Sequence, residues 1–336
     1  MEDKYKGVNP NIAKELAAYE LQYFRQDLPV PFCGLMIYPA KVADYERFID
    51  AINCLTLDKN TTLEGIKMSN LDYLVSQMAG TDKDENAKWS YRLTSLAEIC
   101  FHVKSGYKCP KCGKVYAFGD PELSQIGKES EDRAKSFVVE HPEVLNGSEE
   151  EIKALQEVMV PRCLEDHEAL IPTVMVRKDD KGKNVLVIDG MTINSDDFNR
   201  LRQIILFQNL PDYRDESWID PALKADREEK MKLEKQQNNV YASTEEKVVC
   251  LSISTCYRFD EIYAMPIRKF TMALSTVDEK INYQITKLAV MTGLVSLPKG
   301  KTLDHWIYHR NKDQFGDDYK SLTSAQSDAS VAGNRG

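Results

Sequence analysis

One short segment constrains this chain more than any other: Cys109-Pro110-Lys111-Cys112-Gly113-Lys114. Two cysteines separated by two residues, with a proline inside the turn and a glycine directly after it, are typical of a zinc knuckle, because the tight turn brings both thiolates to one ion. A thioredoxin-like redox pair uses the same cysteine spacing, but no βαβ pattern precedes this segment. The segment therefore predicts a metal site.

A tetrahedral site needs four ligands, so two more must come from elsewhere in the chain. Cys100 and His102 are the nearest candidates, because residues two apart in a strand over 98–103 would project to one face. The alternative pair is Cys163 and His167, whose spacing would place both side chains on one face of a helical turn. The preferred ligand set is Cys100, His102, Cys109 and Cys112.

The remaining composition narrows the class of protein. The first residues contain no apolar run, so we expect no secretory signal, and the eight cysteines then indicate reduced thiols rather than a disulfide framework. No apolar stretch approaches the ~20 residues that span a bilayer. The net charge of -9 argues against a non-specific nucleic-acid binder and suits a protein that binds basic or hydrophobic protein surfaces. We therefore expect a cytoplasmic protein with protein partners, without nucleic acid or membrane among them.

The order of predicted elements indicates an α+β protein rich in helix, with a β-hairpin at 173–188 and helices after it. We expect five regions along the chain. They are an α+β unit with the zinc knuckle (1–118), an acidic connector (119–160), a hairpin with helices (161–235), a helical C-terminal part (236–317) and a disordered tail (318–336). The acidic run in the connector is typical of a solvated face, and a docking surface for a basic partner is the alternative.

Two later helices carry informative patterns. We expect Ser195 to cap the first, with Asp196 and Asp197 at the positive end of its dipole. The second carries a long apolar seam at heptad-like spacing, which either packs against a preceding helix around 248–253 or binds another protein. The seam consists of Ile267, Phe270, Leu274, Val277, Ile281, Ile285 and Leu288.

Sequence motifs for catalysis are missing. The chain contains no G-x-G-x-x-G, G-x-S-x-G or H-E-x-x-H. The segment 300–302 resembles the end of a phosphate-binding loop, but Val295 occupies the position of its first glycine. His305 and His309 are spaced for one helical face, yet no suitably placed base accompanies them. We therefore expect a non-enzymatic protein with no catalytic residue, and a structural Zn²⁺ as its cofactor.

Several segments are similar to poorly characterised proteins of large tailed bacteriophages. They are 197–213, Ile219-Asp220-Pro221, Ile267-Arg268-Lys269-Phe270 and Tyr283-Gln284-Ile285. The order of elements from Ile37-Tyr38-Pro39 to the late Cys-x2-Cys resembles baseplate or tail assembly proteins of contractile-tailed phages.

The resemblance implies a tail assembly chaperone-like factor in the host cytoplasm, with other phage tail or baseplate proteins as its partners. Retention in the virion and self-association into an oligomer are both compatible with it. It transfers no functional residues, so the metal ligands rest on spacing alone. A zinc-stabilised enzyme or regulatory protein, whose site is assembled from scattered residues, is the alternative function.

Overall fold

The structure, a computed structural model, describes residues 5, 7–57, 59, 63–80, 82–142, 149–215, 229 and 242–293. These residues form an α+β protein dominated by helices, as expected, with small antiparallel sheets. The helices are α1 (Pro10–Gln22), α2 (Tyr45–Ala51), α3 (Leu63–Lys67), α4 (Asn70–Met78), α5 (Lys83–Phe101), α6 (Pro121–Glu140), α7 (Glu149–Met159), α8 (Ser195–Asn209), α9 (Thr244–Ser254), α10 (Phe259–Ala264) and α11 (Ile267–Met291). The strands are β1 (Val30–Phe32), β2 (Leu35–Ile37), β3 (Gly106–Lys108), β4 (Val115–Ala117), β5 (Ile171–Pro172), β6 (Val174–Lys178), β7 (Asn184–Ile188) and β8 (Met191–Ile193).

Helix α8 lies at the centre of the main hydrophobic core. The sequence predicts a one-sided apolar face, and all four of its residues are buried: Phe198, Leu201, Ile204 and Ile205. Burial extends right round the helix, because every side chain from 201 to 209 is buried. A helix covered on all sides must be packed by several other elements, so α8 organises the fold around itself.

The polar residues of α8 connect it to the front of the chain. The side-chain oxygen of Asn209 accepts a hydrogen bond of 2.7 Å from the backbone N–H of Ala40. The Arg202 guanidinium donates to the carbonyl oxygen of Leu55 at 2.6 Å. Buried polar groups need such partners, since leaving one unpaired costs about 1–3 kcal/mol. These bonds therefore fix how α8 sits among the N-terminal elements.

The start of α8 differs by one residue from the expectation. Asn194, rather than Ser195, is the capping residue, and its side-chain oxygen accepts from the backbone N–H groups of Asp196 and Asp197. The two aspartates occupy the first turn as expected, where the positive end of the helix dipole favours them.

The main core crosses the expected boundary at residue 118. It combines side chains from α1, α2, α4 and α5 with side chains from β7, β8, α8 and the start of α11. Met1–Thr271 accordingly forms one compact unit. The expected acidic connector, 119–160, holds two helices, α6 and α7, whose residues are mostly exposed. Parts of the expected regions, at 216–228, 230–241 and 294–336 with the whole tail, lie outside the described residues.

The expected hairpin is confirmed. Strands β6 and β7 pair antiparallel, with Val174 opposite Ile188 and Lys178 opposite Asn184. Asp179 closes the turn, because its carboxylate accepts from the backbone N–H groups of nearby residues, and Gly182 supplies the positive φ of +75° that the turn requires. β8 adds a third strand beside β7.

Helix α11 contains the predicted apolar seam, and a division of the chain into two units falls within it, after Thr271. Ile267 and Phe270, before the division, are buried. Farther along, Ile281, Ile285 and Leu288 are 42%, 62% and 63% exposed. None of the helices in the described part of the chain is both long enough and apolar enough to cross a membrane.

Candidate metal centre

The Cys-x2-Cys segment forms a tight turn between two paired strands. β3 and β4 run antiparallel, with Lys108 opposite Val115, and the turn lies between them. The backbone N–H of Gly113 donates to the carbonyl oxygen of Cys109 at 3.0 Å, and the N–H of Cys109 donates to Lys114 at 2.9 Å. Gly113 adopts a φ of +75°, which favours glycine. The tight turn predicted at the two cysteines is therefore present.

A second turn with the same hydrogen bonds begins at Cys163. The N–H of His167 donates to the carbonyl oxygen of Cys163 at 3.0 Å, and the N–H of Cys163 donates to Glu168 at 2.8 Å. Arg162 pairs with Ala169 across the base of the turn, as Lys108 pairs with Val115 in the first. His167 has a φ of 56°, so it plays the backbone role that Gly113 plays. The segments 109–114 and 163–168 are therefore turns with the same backbone hydrogen bonds, and we call them the two knuckles.

The two knuckles point their side chains at one another. Asp166 stands three residues after Cys163, as Cys112 stands three residues after Cys109. Ligand atoms from these four residues all lie within 4.8 Å of one another, and within the described ranges no other group of three or more such donors does so. The cluster could hold a metal ion.

Its internal distances suit a tetrahedral site. The Sγ atoms of Cys112 and Cys163 are 3.8 Å apart, and the Sγ of Cys109 lies 3.9 Å from a carboxylate oxygen of Asp166. Metal–sulfur bonds of about 2.3 Å at tetrahedral angles give a sulfur–sulfur separation of about 3.8 Å. A disulfide needs about 2.05 Å, and the cysteines are free thiols.

The groups around Cys163 lower the pKa of its thiol. The Tyr116 hydroxyl lies 3.2 Å from its sulfur. Burial raises the pKa of Cys163, but hydrogen bonds from this hydroxyl and from the backbone of Asp166 and Glu165 outweigh it, so the pKa is lowered overall. The pKa of Cys112 is raised: the backbone of Lys114 acts to lower it, but desolvation and the neighbouring thiols and carboxylate outweigh that effect.

A small apolar cluster and a paired cation surround the four donors. Tyr116, Ile126 and Leu170 are buried together with Cys109 and Cys163. On the outside, the ammonium of Lys114 lies 3.1 Å from carboxylate oxygens of both Glu122 and Glu165. Lys114 therefore joins the first knuckle to α6 and to the second knuckle.

The structure does not bring Cys100 and His102 to this cluster. The expected strand over 98–103 is wrong, because α5 continues to Phe101 and buries Cys100 in the main core. Burial raises the pKa of this thiol, which disfavours the thiolate that a metal needs. His102 adopts a φ of 56° at the end of α5 and stacks on Tyr38, with ring centroids 4.0 Å apart.

Of the alternative pair of ligands, Cys163 lies in the cluster and His167 does not. Cys163 joins Cys109 and Cys112, whereas Asp166 occupies the place proposed for His167. The expected helical turn at 163–167 is a knuckle instead. Sequence reasoning missed Asp166, although the Cys-x2-Asp spacing repeats Cys-x2-Cys. The signal was weak because a carboxylate replaces the second thiol and histidine replaces the glycine.

Comparisons with protein-family models, with curated proteins and with solved structures find no match for this chain.

Metal affinity at this cluster should depend on pH. Because the pKa of Cys112 is raised, a metal must displace a proton from this thiol near neutral pH. Each displaced proton makes the apparent affinity rise about tenfold per pH unit. Competition between the protein and a zinc chelator over a pH series measures this slope. The variant Cys100→Ala should keep the same slope, and an affinity that does not change with pH would contradict the thiol ligands.

Proposed function

We propose that Cys109, Cys112, Cys163 and Asp166 bind one structural zinc ion. The observation that carries the proposal is the convergence of two knuckles with the same backbone hydrogen bonds on one point. Three sulfur donors and one carboxylate oxygen fill a tetrahedral shell, which leaves no open position for a substrate or an activated water. A closed shell supports a structural role.

The groups around the donors also support a structural role. Beside the site, the ammonium of Lys114 is paired with the carboxylates of Glu122 and Glu165. The inner side is apolar, with Tyr116 directing its hydroxyl at Cys163. A hydrogen bond of this kind orients a ligand and holds its charge, as second-shell groups do at metal sites.

Zinc content distinguishes this ligand set from the one expected at first. We expect the wild type and Cys100→Ala to hold about one zinc per chain, and Cys163→Ser to lose it. The reason is that Cys163 belongs to the proposed shell, whereas Cys100 does not. Elemental analysis of dialysed protein measures the content, and thermal unfolding with and without a chelator measures the effect on stability. Chelator should lower the melting temperature of the wild type and leave that of Cys163→Ser unchanged.

Cys250→Ser, which removes an exposed thiol far along the chain, controls for the loss of a cysteine as such. Loss of zinc from Cys100→Ala together with its retention by Cys163→Ser would overturn the ligand set.

We further propose that the whole chain is a non-enzymatic tail or baseplate assembly factor of a tailed bacteriophage, working in the host cytoplasm. The resemblance of 197–213 and 267–270 to phage proteins supports this, and so does the acidic net charge of -9. The exposed outer part of the seam on α11 gives such a factor a surface for other tail or baseplate proteins, since apolar residues at heptad spacing bind partner helices. No nucleic acid or membrane is needed in this role.

The seam proposal can be tested with a double variant, Leu274→Asp with Ile281→Asp. We expect the tagged wild type to co-purify with a tail or baseplate protein from infected cells in fixed stoichiometry, and the double variant to lose it, because buried carboxylates are costly at an apolar interface. Ile253→Asp, at a site on α9 that is 81% exposed, should leave binding intact. Unchanged co-purification of the double variant would contradict the proposal, and so would loss of cooperative unfolding, since the seam would then be core.

A further inference from the structure

The helices α6 and α7 form an insert between the two knuckles. Strand β4 ends at Ala117, α6 and α7 follow, and the second knuckle begins at Cys163. The Ser130 hydroxyl donates to the carbonyl oxygen of Met159, and the Arg133 guanidinium donates to that of Val160 at 3.0 Å. The end of α7 therefore lies beside the middle of α6.

The part of the insert that follows Ser130 in α6, together with the described end of α7, is exposed to solvent. In the described residues 131–142 and 152–160, every side chain is at least partly exposed. Val139 is 81% exposed and Met159 is 48% exposed. In this part of α6 and α7 the partly exposed apolar side chains leave apolar surface in water, which favours binding of a further element.

The exposed apolar side chains line one groove. A groove of about 390 Å³ runs between the two helices. Its lining consists of Ala134, Lys135, Val138, Val139, Leu155 and Met159. A continuous apolar groove between two helices has the shape into which the apolar face of a third helix fits.

The net charge of the insert indicates whether the third helix is acidic, as a second copy of the insert would be, or basic. Among the described side chains of α6 and α7, at 121–140 and 152–159, six are acidic and four are basic, a net charge of −2. Two of the four basic groups are engaged within the insert, because Arg133 binds backbone carbonyls and Lys135 lies 3.5 Å from a carboxylate oxygen of Asp132. A second copy of this insert would bring like charges together, whereas a basic helix would be attracted.

We propose that the groove between α6 and α7 docks a basic amphipathic helix of a partner protein. Apolar residues spaced i, i+3, i+4 and i+7 on that helix fill the groove, and its lysines or arginines face the acidic flanks of the insert. The residues of this groove are different from those of the seam on α11, and docking at the groove does not require the zinc ion.

A designed peptide tests the proposal. The probe is a labelled synthetic helix of about five turns, with leucine at i, i+3, i+4 and i+7 and lysine elsewhere. The control peptide has leucine at the same positions and glutamate in place of each lysine. Fluorescence anisotropy with the full-length protein should show binding of the lysine peptide and much weaker binding of the glutamate peptide.

The variant Val139→Asp separates groove binding from charge attraction. The added carboxylate strengthens attraction to a lysine peptide, so attraction alone predicts equal or tighter binding. Occupation of the groove predicts binding at least about tenfold weaker, because the carboxylate would have to be buried. Ile253→Asp adds the same charge at a position that is equally exposed, 81%, and should not weaken binding.

Three results would overturn the proposal. Equal binding of the two peptides would remove the charge argument. Undiminished binding by Val139→Asp would show that charge alone attracts the peptide. A wild-type dimer in sedimentation experiments that Val139→Asp dissociates would make a second copy the occupant. Circular dichroism of each variant checks that it is folded.

Discussion

The convergence of two knuckles on one point is the constraint on which this part of the molecule depends. Each turn holds its donors by backbone hydrogen bonds of 2.8 to 3.0 Å, before any metal is considered. The pKa of Cys112 is raised, partly by hydrogen bonds with Cys109, Cys163 and Asp166, so this thiol gives up its proton less readily than a free cysteine. The proposed zinc ion would displace that proton and connect Cys112 to Cys163. The apolar cluster at the site has five buried residues, two of which are the donors Cys109 and Cys163 themselves.

Strand β3, which leads into the first of the two turns, is joined to residues beside the hairpin sheet. Gly106, at the start of β3, has no room for a side chain, because a Cβ would lie 2.1 Å from the carbonyl oxygen of Tyr116. The Thr173 hydroxyl accepts from the N–H of Gly106 and donates to the carbonyl oxygen of Lys104. Lys108 and Asp189 form an ion pair of 2.6 Å. The small sheet is therefore held against the hairpin sheet, and the insert of α6 and α7 projects from a fixed base.

Residue spacing and turn residues within short segments predict several of these features. The wrong expectations fall where such short patterns fit more than one structure. The hairpin at 173–188 and the core face of α8 followed from spacing and turn residues, and the tight turn at 109–114 followed from its two cysteines, proline and glycine. A strand over 98–103 would place Cys100 and His102 on one face, but the segment to Phe101 is helix α5, which buries Cys100 in the core. Asp166 was hidden because its knuckle has neither a second cysteine nor a glycine. The shared core of the front and middle regions depends on contacts such as Asn209 with Ala40, which no local pattern reveals.

Zinc K-edge X-ray absorption of the purified protein tests the central claim most directly. The account predicts three sulfur neighbours at about 2.3 Å and one oxygen at about 2.0 Å, without the outer-shell scattering of an imidazole ring. Imidazole scattering would return a histidine such as His102 or His167 to the shell. That result, or a protein that binds no zinc, would contradict the account.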